Sequence, residues 1–93
     1  MMEEVSIENK EKLADGWEFE VLVGEGPDTT THLVILEQEY WELFSEVYDT
    51  PEELLQASFE FLLQREPKES ILPEFSLSEI TTHFPEYQDE VLA

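Results

Sequence analysis

The side chains best equipped for chemistry are two histidines, His32 and His83, and a large surplus of carboxylates. A zinc site needs histidines at a helical or loop spacing such as His-x-x-x-His, or thiolates. Here the histidines fall in different predicted elements and cysteine is absent, so both read as structural. The same absence excludes disulfides and a thiol nucleophile. Ser45, Ser58, Ser70, Ser76 and Ser78 lie in helix bodies or caps, outside any Gly-x-Ser-x-Gly elbow. Gly24-x-Gly26 continues into Pro27 and a strand, so it makes a turn and not a phosphate cradle. Residues 24–31 lack the Asp-x-Asp-x-Asp-Gly order of a calcium loop. No residue is therefore assigned a catalytic, cofactor-binding or metal-binding role, and the expectation is a protein that is not an enzyme and uses no cofactor.

Charge is the dominant feature. Acidic residues number 24 against 4 Lys and Arg, a formal charge of −20, and no cation occurs between Lys12 and Arg65. Binding to a polyanion depends on cations that displace its counterions, so direct contact with nucleic acid or anionic lipid is not expected. A basic protein, in contrast, would be steered toward this surface and held on it. Glu18, Glu20, Glu37, Glu39, Glu42 and Glu46 form the candidate partner-binding face, because their positions allow exposure on a strand and on the helix after it. The competing expectation is a homo-oligomeric structural or accessory protein, a homodimer for example, whose acidity serves solubility. Adaptation to high salt is a third source of acidity, but the excess of Glu over Asp and the retained large apolar residues do not favour it.

The longest apolar run, Leu33 to Leu36, is strand-sized and far below the roughly 20 residues of a membrane span. The acidic start, Met1-Met2-Glu3-Glu4, is unlike a secretion signal. Together with the missing cysteines this leads to the expectation of a cytoplasmic protein with no membrane partner.

The elements that would position these residues follow from periodicity. Residues 1–13 are polar and aperiodic, and read as a flexible tail preceding a single α+β domain over 14–93. Residues 17–23 alternate, with Trp17, Phe19, Val21 and Val23 on one side. A turn-forming cluster follows at 24–28, and residues 29–36 form a second strand, giving an antiparallel hairpin. That second strand is apolar on both faces, which suggests that both are covered or that another copy completes the sheet. Tyr40, Phe44 and Val47 then predict a helix running to about Tyr48. Thr50, Pro51, Glu52 and Glu53 make a capping-box start for a second helix. It carries Leu54, Leu55, Phe59, Phe61, Leu62 and Leu63, and ends before Pro67. Residues 68–75 read as a linker pinned by Ile71, Leu72 and Phe75. Ser76 and Glu79 mark another capping box, opening a third helix with Leu77, Ile80 and Phe84, which Pro85 interrupts before a last turn or two. The predicted architecture is an N-terminal hairpin followed by three helices, ββααα.

Residues 31–65 contain an alternating strand (Thr31-His32-Leu33-Val34-Ile35-Leu36), a short helix ending near Tyr48, and the capped Thr50-Pro51-Glu52-Glu53-Leu54 start of the next. In this order they resemble the ribbon-helix-helix module of bacterial repressors and antitoxins, over a little more than a third of the chain. The resemblance implies a strand-helix-helix unit that pairs through its strand. The whole chain also looks similar to small prokaryotic proteins to which no activity is assigned, a likeness that transfers no residues.

Overall fold

A computed structural model of the chain describes residues 4–92. Four strands form one mixed sheet: β1 (Val5–Leu13), β2 (Gly16–Val23), β3 (Thr30–Glu37) and β4 (Glu74–Ser76), in the order β1-β2-β3-β4. The helices are α1 (Gln38–Glu42), α2 (Pro51–Leu63), α3 (Glu79–His83) and α4 (Tyr87–Leu92), with one-turn 3-10 segments at Gly26–Asp28 and Lys68–Ser70. The class is α+β, but the ββααα pattern is overturned. The hairpin is present as the antiparallel pair β2/β3, in the middle of a four-stranded sheet and not at the N-terminus. The sheet is extended on both sides by segments of the same chain.

The first extension replaces the expected tail. Residues 5–13 pair antiparallel with β2, while residues 1–3 of that expected tail lie outside the described residues. The alternation that would announce β1 is interrupted by a bulge between Ile7 and Asn9. Before it Val5 and Ile7 sit on the covered side of the sheet; after it Lys10 and Lys12 take that side, paired with Phe19 and Trp17. A bulge shifts the phase of an edge strand by one residue, so no period-2 pattern survives in the sequence. The two lysines make use of the change. Lys10 Nζ lies 3.2 Å from the Glu52 carboxylate and 5.8 Å from the Trp17 ring centroid, and Lys12 Nζ lies 5.2 Å from the same ring.

The second extension replaces part of the expected linker. β4 pairs parallel with β3, Val34 opposite Phe75, and three residues are too few to show a period. It is set in place by contacts from β3 itself. The Leu33 N–H donates to the Pro73 carbonyl at 2.8 Å, and the buried His32 ring bonds the Leu72 carbonyl through Nδ1, also at 2.8 Å. A carbonyl only accepts, so Nδ1 carries the proton. Nε2 pairs with the Thr30 hydroxyl at 2.9 Å.

α2 covers the inner face of the sheet. Thr50 Oγ1 accepts from the Glu53 N–H at 3.3 Å, Pro51 occupies the first turn, and no β-branched residue interrupts residues 51–63. Glu53 returns its carboxylate to the N–H of Asp49 at 3.0 Å, one residue earlier than the expected box. Leu54, Leu55, Ser58, Phe59, Phe61 and Leu62 form the buried stripe. Phe59 stands between the His32 and Phe75 rings, at 5.6 and 6.1 Å. Fully burying one such side chain contributes about 1.5–3 kcal/mol.

Two of the remaining helices, α1 and α3, are shorter than expected. α1 stops at Glu42 and continues as hydrogen-bonded turns, because the Ser45 hydroxyl donates to the Glu42 carbonyl at 3.2 Å and Phe44 folds into the core. The Glu79 carboxylate accepts from the Ser76 N–H at 2.8 Å, half of the expected box, yet α3 begins only at Glu79. All three tyrosines of the chain tie these short pieces together. The Tyr40 hydroxyl pairs with that of Thr81 at 2.9 Å, and Tyr48 donates to the Val91 carbonyl at 2.7 Å. Tyr87 meets Ser58 at 2.6 Å. Since Ser58 spends its one proton on the Leu54 carbonyl at 2.7 Å, Tyr87 is the donor.

Candidate functional site

The strand registers decide which acidic residues share a surface. On the sheet face opposite α2, two cross-strand rows run side by side. One is Glu11, Glu18, Ile35, Ser76; the other is Asn9, Glu20, Leu33, Glu74. None of these positions is buried. The half-buried aliphatic pair Leu33 and Ile35 is thus bordered by carboxylates on both sides. Glu11 stands directly opposite Glu18, a like-charge pairing that costs stability. A groove of about 190 Å³ runs between Glu18, Leu33, Ile35, Glu74, Ser76 and Glu79.

The four cations are all engaged away from this face. Lys10 and Lys12 lie at inner-face positions of β1, as described above. Arg65 stacks 3.6 Å from the Phe61 ring centroid and pairs with Glu86, at 3.3 Å, and with Glu90. The Glu86 carboxyl is held below its ordinary range by the hydrogen bond from its own backbone N–H and, after that, by Arg65. The nearly buried Lys68 reaches Asp28 at 3.1 Å and Glu69 at 3.6 Å. With no lysine or arginine among its strand positions, the outer face has a single sign of charge.

The six candidate glutamates divide between two places. Glu18 and Glu20 lie on the outer face. Glu39 and Glu42 are exposed on α1, and Glu46 is exposed in the turns after it. Glu37 stands where β3 runs into α1, half-buried, with its Oε1 buried and without a hydrogen-bond partner. It belongs as much to the surroundings of Tyr40, whose phenol is pushed up by burial first, against the opposing Thr81 bond, and further by the Glu37 charge. Three glutamates of the site were not among the candidates. Glu11 lies in the stretch expected as a tail, Glu74 in the expected linker, and Glu79 at an expected helix cap. The alternation of charge with Leu33 and Ile35 becomes visible only when β1 and β4 are laid beside the hairpin.

A second concavity of about 350 Å³ opens between α2, β4 and α3. Its buried walls include Leu62, Ile71, Phe75 and Ile80, and its mouth carries Glu66, Glu79 and the exposed His83. The two histidines are not brought together: His32 is buried in the core, and His83 is on α3. Among the described residues, no group of three or more His, Asp or Glu side chains is arranged to hold a metal ion. Among them too, no helix is long and apolar enough to cross a membrane. Comparison with protein families, with curated proteins and with solved structures returns no match, so the site is read from its own chemistry.

Proposed function

We propose that this chain is a non-enzymatic interaction module that binds a basic protein through the outer face of its sheet. The observation that carries the reading is the pair of rows in which Glu11, Glu18, Glu20 and Glu74 flank Leu33 and Ile35, with no cation among the strand positions of that face. A surface of one sign raises the rate of encounter with an oppositely charged partner, and the aliphatic strip supplies area to bury once contact is made. A second copy of the chain is a poor occupant, because it would bring the same carboxylates into opposition.

A lysine-rich peptide titrated by calorimetry at low ionic strength tests the proposal. Glu18→Gln, Glu20→Gln and Glu74→Gln together should weaken binding about tenfold, or about 1.4 kcal/mol. A control triple of equal charge change at exposed sites, Glu25→Gln, Glu60→Gln and Asp89→Asn, should change it less than about twofold. Equal losses in the two triples would mean that only net charge acts, and the face would lose its role.

A homo-oligomeric accessory role is the second reading, favoured by one observation. Leu43 and Val47, in the turns after α1, are 53% and 48% exposed. Sedimentation equilibrium of Leu43→Ser/Val47→Ser against the unaltered protein tests it, since a dimer built on this patch would dissociate.

A further inference from the structure

We propose that the cavity between α2, β4 and α3 receives one large apolar side chain of the same basic segment that lies on the outer sheet face; this inference rests on the binding function proposed above. Two features of the cavity point to that occupant. Its volume, about 350 Å³, is near the lower end of the range for ligand pockets and accommodates a single aromatic or long aliphatic side chain. Its mouth is acidic, with Glu66 and Glu79 beside the apolar walls. The nearest cations are drawn elsewhere, Arg65 to Glu86 and Glu90, and Lys68 to Asp28 and Glu69. An apolar group flanked by positive charges is complementary to this mouth, and an apolar group flanked by negative charges is repelled by it.

The cavity and the groove of the outer face are also neighbours. Phe75 and Glu79 line both. The Glu79 carboxylate is held at this junction by the Ser76 N–H at 2.8 Å, so it stands between the two concavities in a fixed position. A segment crossing β4 would place lysine or arginine beside Glu18, Glu74 and Glu79, and an apolar neighbour over Ile71 and Ile80. The division of labour is the usual one for interfaces. Charge sets encounter and salt dependence, while an apolar anchor in a desolvated pocket carries most of the affinity.

Two synthetic heptapeptides test the anchor, one with a central tryptophan between two Lys-Lys-Lys arms and one with serine in its place. Both are titrated by calorimetry at about 20 mM and about 300 mM salt. The tryptophan peptide should bind about tenfold or more tightly than the serine peptide, and the ratio should persist at the higher salt, where charge is screened. His83→Trp, an exposed substitution at the mouth, should remove that advantage. Leu72→Gln, at a lining residue that is 49% exposed, should reduce it. Circular dichroism verifies that both variants stay folded. Equal affinity of the two peptides overturns the anchor and leaves the acidic face standing, as does an advantage that survives His83→Trp. Binding of neither peptide at low salt overturns the acidic face and the anchor with it. A dimer that His83→Trp dissociates would make a second copy the occupant and overturn the proposal.

Discussion

Along β2, Phe19, Val21 and Val23 have no exposed surface, while Glu18, Glu20 and Leu22 between them face the other way. The same division continues on β3, with Val34 and Leu36 inside, and Leu33 and Ile35 outside. The inner face is closed by α2, whose Phe59 ring lies between those of His32 and Phe75. On the outer face carboxylates border two aliphatic side chains in a half-buried strip. Alternating side chains thus give one sheet two chemically different faces. Substitutions on the inner face should be felt in stability and those on the outer face in binding.

The largest effect belongs to the core. Phe59→Ala should cost about 3–5 kcal/mol, as buried aromatic truncations do, whereas Ile35→Ala on the outer face should cost under about 1.5 kcal/mol. Urea unfolding of the two variants checks this. Comparable shifts in midpoint would mean that the outer face is packed as tightly as the inner one.

Gly16, at the start of β2, joins the two faces at the end of the sheet. It has φ +156°, and a Cβ there would fall 2.2 Å from the Leu36 carbonyl oxygen and 2.9 Å from the Glu37 Cα. Both obstacles are backbone, so relief requires β3 to move. Gly16→Ala should destabilise by about 1–3 kcal/mol, within the range for forced overpacking. Peptide binding at the groove would weaken with it only if the β2/β3 register shifts.

The inner side also carries a signature in alkaline solution. Burial raises the phenol pKa of Tyr40, Tyr48 and Tyr87, most strongly for Tyr87. A raised folded-state pKa means that the unfolded chain releases its phenolic protons first. The stabilisation is therefore complete below about pH 10 and is lost as pH rises beyond it. Thermal unfolding across this range should show stability falling. Tyr87→Phe should make the fall shallower, at a cost near neutrality of about 1 kcal/mol for the lost bond to Ser58. An unchanged slope would locate the effect in the other two tyrosines.

The smallest effect belongs to the outer face. Glu18→Gln removes the charge opposing Glu11 and should raise stability by a few tenths of a kcal/mol. Moderate salt should raise the melting temperature in the same direction, because it screens repulsion over about 8–10 Å. A flat salt response would mean that the outer carboxylates are spread too far apart to repel.

Read from composition and period alone, the chain yields its central hairpin, the capped α2 and the absence of disulfides. These are legible because they depend on local pattern. Phe19-x-Val21-x-Val23 alternates whatever lies beside it, and Thr50-Pro51 caps a helix wherever that helix packs. The acidic site was legible only in part. Glu18 and Glu20 follow from the hairpin, but Glu11 and Glu74 need strands that local pattern does not announce.

What tertiary structure decided was how the hairpin is extended and how the short helices are held. β1 exists because a bulge lets Lys10 and Lys12 occupy inner positions beside Trp17 and Glu52, an exchange of apolar for cationic side chains that leaves no period behind. β4 exists because His32 and Leu33 offer bonds to Leu72 and Pro73, some forty residues later in the chain. α1, α3 and α4 are too short to be stable by themselves; they are held by tyrosine hydroxyls to groups that only the folded chain brings within reach. Contacts between distant residues have no local signature, so the sequence determined the hairpin, α2 and the charge, and packing decided the edge strands and which carboxylates share a face.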